Sequence, residues 1–217
     1  MAARAKSRSK AKSPSAITYA VHPGVAMVQK WVAELKQKTG RTLEEWSALI
    51  RKEGPDDQAA RREWLKKKYK LGTNTAWWLA ERADGQPTWD ESPESYLAIA
   101  PTYVDEMFAG PKAHLRPVAD ELMRLALDVA PDIKFCPCKT IIPFYRGHVI
   151  AQIKPATNTR IDFGFALDAK TPFTERLKDT GGLKKKDRIT HKIEIAKPEG
   201  IDVEVEGYLR AAYERDG

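Results

Sequence analysis

The sequence predicts an α+β protein: a small N-terminal helical bundle followed by a domain with an antiparallel sheet packed on helices. Three observations carry this. Apolar residues recur at helical spacing through residues 22 to 84. The stretch GQPTWDESPE at 85 to 94, with a glycine, two prolines and three acids, then interrupts the hydrophobic pattern. Beyond it come helices, short strand patterns and a last helix, an order that belongs to the α+β class. The expected divisions are a disordered basic tail over 1–15, a helical domain over 16–84, a linker over 85–95 and the α+β domain over 96–217.

The tail, MAARAKSRSKAKSPS, has no aromatic or large aliphatic residue after Met1, so it cannot bury a core. Val25, Val28, Val32 and Leu35 mark a first helix, which Gly40 stops. Thr42 with Glu45 three residues on is a capping box for a second, whose apolar stripe is Leu43, Trp46, Leu49 and Ile50. A third helix starts near Asp56 or Asp57 and ends at Gly72, with Ala60, Trp64, Leu65 and Tyr69 expected inside. A fourth, TNTAWWLAERA, ends near Gly85.

In the second domain Pro101 suits a helix first turn leading into TYVDEMFAG. Leu115, Val118, Leu122, Leu125 and Val129 mark a strongly amphipathic helix ended by Ala-Pro-Asp. Strand patterns lie near 133–138, 140–145, 148–154, 160–167 and 189–195. A closing helix capped by Asp202 runs to about Arg215.

Charge is placed unevenly. The 217 residues hold 37 bases and 30 acids, a net charge of +7. Residues 1–15 contribute +5, RREWLKKKYK at 61–70 another +5 and KKKDR at 184–188 a further +3, which leaves the rest of the chain at −6. Such concentration predicts a polyanion as partner, DNA or RNA first and an acidic protein or lipid second. No run of about 18 apolar residues is present, so no membrane span is expected. No secretory signal is visible in the first thirty residues, and the chain is expected in the cytoplasm with its two cysteines reduced.

Several stretches resemble known families. TGRTLEEW with KYKLGTNTA resembles a small helical domain of unknown function from bacterial proteins. CPCKTIIPFYRGHVIAQIKPATNTRIDFGFAL, with RLKDTGG, KKKDRITHKIEI and YLRAAYE, resembles an α+β domain of unknown function that often accompanies it. The resemblance implies a two-domain uncharacterised family, with helices on one face of an antiparallel sheet, and no activity. A fainter likeness to a group labelled iron chaperones would require a carboxylate cluster on one face, and these residues assemble none.

Few residues suggest chemistry. Cys136 and Cys138 lie two apart in a strand pattern, whereas metal knuckles use C-x2-C in a turn, so no metal and no cofactor are expected. His191 shares the apolar face of Ile189, Ile193 and Ile195 and reads as a core histidine. Pro131-Asp132 with Asp168-Ala169-Lys170 has a faint nuclease-like arrangement, but the first is a helix stop and the second a strand exit. Neither a Ser/His/Asp set nor a phosphate-binding loop is present, and no catalytic residue is assigned.

Two basic surfaces remain. Arg62, Lys66 and Lys70 fall at i, i+4 and i+8 on the third helix, which with the fourth resembles a helix-turn-helix pair. In the sheet, pairing of 148–154 with 160–167 would put Val149, Ala151, Ile153, Ile161, Phe163 and Phe165 on the core face. Gln152, Lys154, Arg160, Asp162 and Gly164 would share the other, with Lys154 opposite Arg160 and a gap at Gly164. Lys139 and Arg146, at the ends of the neighbouring strand, complete an expected anion-holding face.

These features predict a non-catalytic nucleic-acid or anion-binding protein. An enzyme acting on a phosphorylated or nucleic-acid substrate and a protein-interaction module using exposed aromatics are the alternatives. An acid such as Asp162 held beside the bases in a concave pocket would favour the enzyme; a flat or convex basic face would favour plain binding.

Overall fold

The computed structural model describes residues 17–85, 88–89 and 91–217. The tail expected over 1–15 lies outside the described residues, as do Gln86, Pro87 and Asp90 of the expected linker. The chain groups into two compact units, Val21–Pro101, and 17–20 together with Thr102–Gly217.

The first unit is helical. Helix α1 (Pro23–Thr39) starts where the His22 side chain accepts a hydrogen bond from the Gly24 N–H, and ends on Gly40 at φ 81°. That left-handed conformation is one a β-carbon disfavours, so glycine suits the position. Helix α2 (Leu43–Glu53) opens on the Thr42–Glu45 capping box, with both reciprocal bonds present. Asp57 caps α3 (Gln58–Tyr69) by accepting from the Ala60 N–H, and α4 (Thr73–Arg82) follows after a three-residue turn. Leu35, Trp46, Ile50, Leu65, Ala76, Leu79, Ala80 and Ala83 form the core.

Helix α3 departs from expectation on its inner face. Ala60 is exposed and Arg61 is buried beside Leu65. The aliphatic stem of Arg61 takes the inward position while its guanidinium donates to the Pro55 carbonyl at 2.7 Å and pairs with Asp84 at 2.9 Å.

Helix α5 spans Pro93–Met107, so Pro101 lies inside a helix instead of opening one. Pro93 fills the first turn, and the Ser92 hydroxyl accepts from the Ser95 N–H. The interior proline removes the donor to the Leu97 carbonyl, on a residue 41% exposed where water can serve it.

In the second unit, a 3-10 turn over Gly110–Leu115 leads into α6 (Arg116–Val129). Six strands follow: β1 (Lys134–Phe135), β2 (Ile142–Tyr145), β3 (Val149–Lys154), β4 (Ile161–Phe165), β5 (Lys178–Asp179) and β6 (His191–Ile195). All pairs are antiparallel, in the order β1-β2-β3-β4-β6-β5. A one-turn helix α7 (Gly182–Lys185) precedes β6, and α8 (Val203–Glu214) closes the unit, capped by Asp202.

Leu122 and Met123 of α6 and Val205 and Leu209 of α8 share one core with Phe144, Ile153, Phe163 and Ile193 of the strands. The helices therefore cover one face of the sheet, as period-two alternation requires. The register shifts between Phe144 and Tyr145, where Ile150 of β3 is left unpaired as a bulge. It puts Ile150 in the core and Val149, expected there, at the margin of the other face. Strand β5, two residues long, has no period to announce it and was not expected from the sequence.

Candidate anion-binding face of the sheet

The second face is built from residues that alternate with the core. Gln152 and Lys154 of β3, Asp162 and Gly164 of β4, Lys192 and Glu194 of β6 and Lys178 of β5 fall on it by register. The loop after β5 folds beside them. Gln152, Lys154, Asp162, Gly164 and Lys192 line a cleft of about 530 Å³ whose wall includes Asp179, Asp187, Arg188 and Ile189, while Lys178 and Glu194 lie beside it on the same face.

An ion-pair network crosses the floor. The Asp162 carboxylate accepts from Arg160 at 3.2 Å and from Lys192 at 2.6 Å. Glu194 pairs with Arg160 at 3.1 Å, Lys192 at 3.4 Å and Lys178 at 2.7 Å. The Lys178 hydrogen bond, with the charges of Arg160 and Lys192, holds the Glu194 carboxyl below its ordinary range. Three cations thus share two carboxylates. Lys154 adds a further positive charge, is exposed, and has no carboxylate partner among the described residues.

The expected face is only partly assembled. Lys154 and Arg160 are brought to it, but β3 and β4 pair with Lys154 opposite Asp162, not opposite Arg160. The observed register places an opposite charge across from the lysine, so the inferred like-charge conflict does not arise. Gly164 is not a gap. A β-carbon there would lie 2.6 Å from Ile189 Cγ2, so the isoleucine fills the space.

Arg146 is engaged elsewhere: its guanidinium sits over the Tyr213 ring at 4.2 Å and donates to the Tyr213 carbonyl at 3.0 Å, capping the end of α8. Lys139 is exposed in the β1–β2 turn and does not line the cleft.

In the first unit, Arg62 and Lys66 line a common cleft of about 420 Å³. Lys70 does not, because it is the α3 C-cap at φ 55° and leaves the helical line. Glu63 pairs with Lys66 at 2.9 Å, not with Lys67.

The sequence reading missed Lys178, Arg188, Lys192 and Glu194. The alternation of HKIEI placed Lys192 and Glu194 on the face opposite His191, Ile193 and Ile195, so a signal for them existed. Lys178 and Arg188 come from segments without periodicity. Arg188 donates to the Val149 carbonyl at 2.7 Å and pairs with Asp216. The Asp216 side chain, only 2% exposed, accepts from the Gly147 and His148 N–H groups at 2.9 and 2.8 Å. Burial alone would raise its pKa, but these donors and the Arg188 charge outweigh that and lower it.

The remaining candidates have local roles. His191 is fully buried, with Nε2 3.1 Å from the Thr171 carbonyl and Nδ1 2.8 Å from the Thr190 hydroxyl. Burial pushes the Cys136 and Cys138 thiols up to about 12 and about 11. Asp132 accepts from the Tyr213 hydroxyl at 2.9 Å, and Asp168 from the Lys170 N–H at 2.8 Å. Among the described residues no group of three or more His, Cys, Asp or Glu is arranged to hold a metal ion. Among the described residues no helix is long and apolar enough to cross a membrane.

Comparison with known proteins places two family models on the chain in tandem. A domain of unknown function, DUF4287, matches residues 27–85, and a second, DUF5655, matches residues 104–216. No curated protein and no solved structure matches the chain.

Proposed function

Because the chain belongs to the DUF5655 family through residues 104–216, whose description assigns no activity, we propose a function from the geometry of that region: a cytoplasmic, non-catalytic anion-binding protein that holds a phosphate-bearing ligand in the sheet cleft. The observation that carries this reading is the exposed Lys154 on a 530 Å³ cleft, with no carboxylate partner among the described residues. A volume between about 300 and 1,000 Å³ is typical of pockets for compact ligands. Phosphate oxygens complement the ammonium group of Lys154 and the spare donors of Arg160 and Lys192.

Titration calorimetry with inorganic tripolyphosphate tests the proposal. Lys154→Ala should weaken binding roughly tenfold or more, the loss of one charge-assisted hydrogen bond of about 1.5 kcal/mol or above. Unchanged affinity in Lys154→Ala and in Lys192→Ala, with both variants folded, would exclude the cleft.

The enzyme reading stands second and has two observations in its favour: Asp162 lies beside the bases in a concave cleft, and the exposed carboxylates of Asp179 and Asp187 share that cleft. It ranks lower because Asp162, the acid nearest the floor, has both oxygens occupied by Arg160 and Lys192. Release of inorganic phosphate from a phosphorylated ligand, abolished in Asp187→Asn, would reverse the ranking.

A further inference from the structure

We propose that the α3–α4 face of the first unit binds single-stranded nucleic acid, with Trp77 stacking on an unpaired base and the bases of α3 holding the adjacent phosphates. This surface is independent of the sheet cleft.

Trp77 is the starting observation. It is 44% exposed, in a unit that buries Trp46 completely. Its chain neighbour Trp78 packs edge-on against Trp31, with ring centroids 5.0 Å apart. Helix α4 sends Ala76, Leu79 and Ala80 inward, so Trp77 falls on the outer side of the same turn. There it shares the 420 Å³ cleft with Arg62 and Lys66 of α3 and with Thr73 and Asn74 of α4. A large flat apolar ring has thus been left beside cations instead of being folded into a core.

The bases of α3 outnumber their acidic partners among the described residues, and one of the unpaired bases, Arg62, lines the cleft with Trp77. Of the α3 bases, Arg61 is paired with Asp84, Lys66 with Glu63 and Lys68 with Glu53. Arg62, Lys67 and the C-cap Lys70 have no carboxylate partner among the described residues. The charges of Lys67 and Arg62 also help hold the Glu63 carboxyl below its ordinary range, after the hydrogen bond and charge of Lys66.

An indole face beside clustered cations matches the two needs of an unpaired strand. The base stacks on the ring, and the backbone phosphates meet the ammonium and guanidinium groups. A duplex keeps its base faces inside the stack, so it gains the electrostatic part but not the stacking part. An acidic protein surface would likewise use the cations and leave the indole unused.

The test separates stacking from charge. Full-length protein is titrated with a short thymidine oligonucleotide and with an abasic strand of the same length and charge. Wild type should bind the thymidine strand about five- to a hundredfold more tightly, the range that one base–aromatic stack produces. Trp77→Ala should bring the two strands to equal affinity, and Trp77→Phe should keep most of the difference. Arg62→Ala should lower the slope of log affinity on log salt by about 0.7 for both strands. Lys154→Ala, which reports on the sheet cleft, should leave the difference between strands unchanged.

Equal binding of the two strands by wild type overturns the proposal. So does a preference that survives Trp77→Ala, or tighter binding to duplex than to the single strand. Trp77 lies outside the core, and far-UV circular dichroism verifies that its variants stay folded.

Discussion

Gly164 shows how one atom can set the shape of a site. Its missing β-carbon leaves room for the Ile189 methyl, which would otherwise lie 2.6 Å away, and for Gln152 Cγ at 3.3 Å. Gly164→Ala should therefore cost about 1–3 kcal/mol by overpacking. Much of that loss should return in the Gly164→Ala, Ile189→Ala double variant, read from chemical denaturation. Additive losses would mean that the isoleucine is not the obstacle. The cysteines give a second expectation at this scale. With their thiols pushed up to about 12 and about 11, only about a thousandth or less of either is thiolate at pH 8. A disulfide-exchange reagent should label native protein at least about a hundredfold more slowly than unfolded protein. Fast labelling of Cys138 in the native state would contradict the burial assigned to it.

Among the elements, the end of α8 depends on a single carboxylate. Asp216 joins the β2–β3 turn, through the Gly147 and His148 N–H groups, to Arg188 at the wall of the cleft. Asp216→Ala should destabilise the protein by about 1–3 kcal/mol through the unsatisfied donors left behind. The pH dependence has a definite sign. The folded pKa is depressed, so the stabilisation is complete above the unfolded carboxyl value of about 3.9 and fades as pH falls through the lower folded value. Wild type and Asp216→Ala should differ at pH 7 and converge in denaturant titrations as pH falls below the depressed folded value. A gap that persists in acid would assign the effect to packing. The N-terminus of α2 offers a simpler case. Thr42→Ala removes the half of the capping box in which the Thr42 hydroxyl accepts from the Glu45 N–H, and should cost about 1 kcal/mol.

For the whole molecule, the segment between α4 and α5 yields an expectation. Between Arg82, where α4 ends, and Pro93, where α5 begins, the described residues form no helix or strand. We propose that this segment, which lies within the Val21–Pro101 unit, is the stretch of the described chain most open to cleavage. Limited proteolysis should cut first between residues 85 and 92. Initial cleavage inside α6 or the sheet would refute it.

The sequence by itself determined what depends on near neighbours. Thr42, Glu45, Gly40, Asp57 and Asp202 announced helix ends because a cap is a contact within a few residues of its own chain. The alternation over residues 151–154 and in IDFGF announced which residues face the core, because a pleated strand repeats every two residues, and failed at Val149 where a bulge breaks the repeat. Together these amounted to the α+β class and most of the elements. Tertiary structure decided what depends on register and on distant segments. It set Lys154 opposite Asp162, because the β3–β4 loop, not the pattern of either strand, decides which residues oppose each other. It turned Arg146 to the end of α8, brought Ile189 over Gly164 and gathered Lys154, Lys192 and Arg188 around one cleft. Long flexible cations respond to whichever carboxylate or carbonyl folding brings within reach, and that partner is often tens of residues away in the chain.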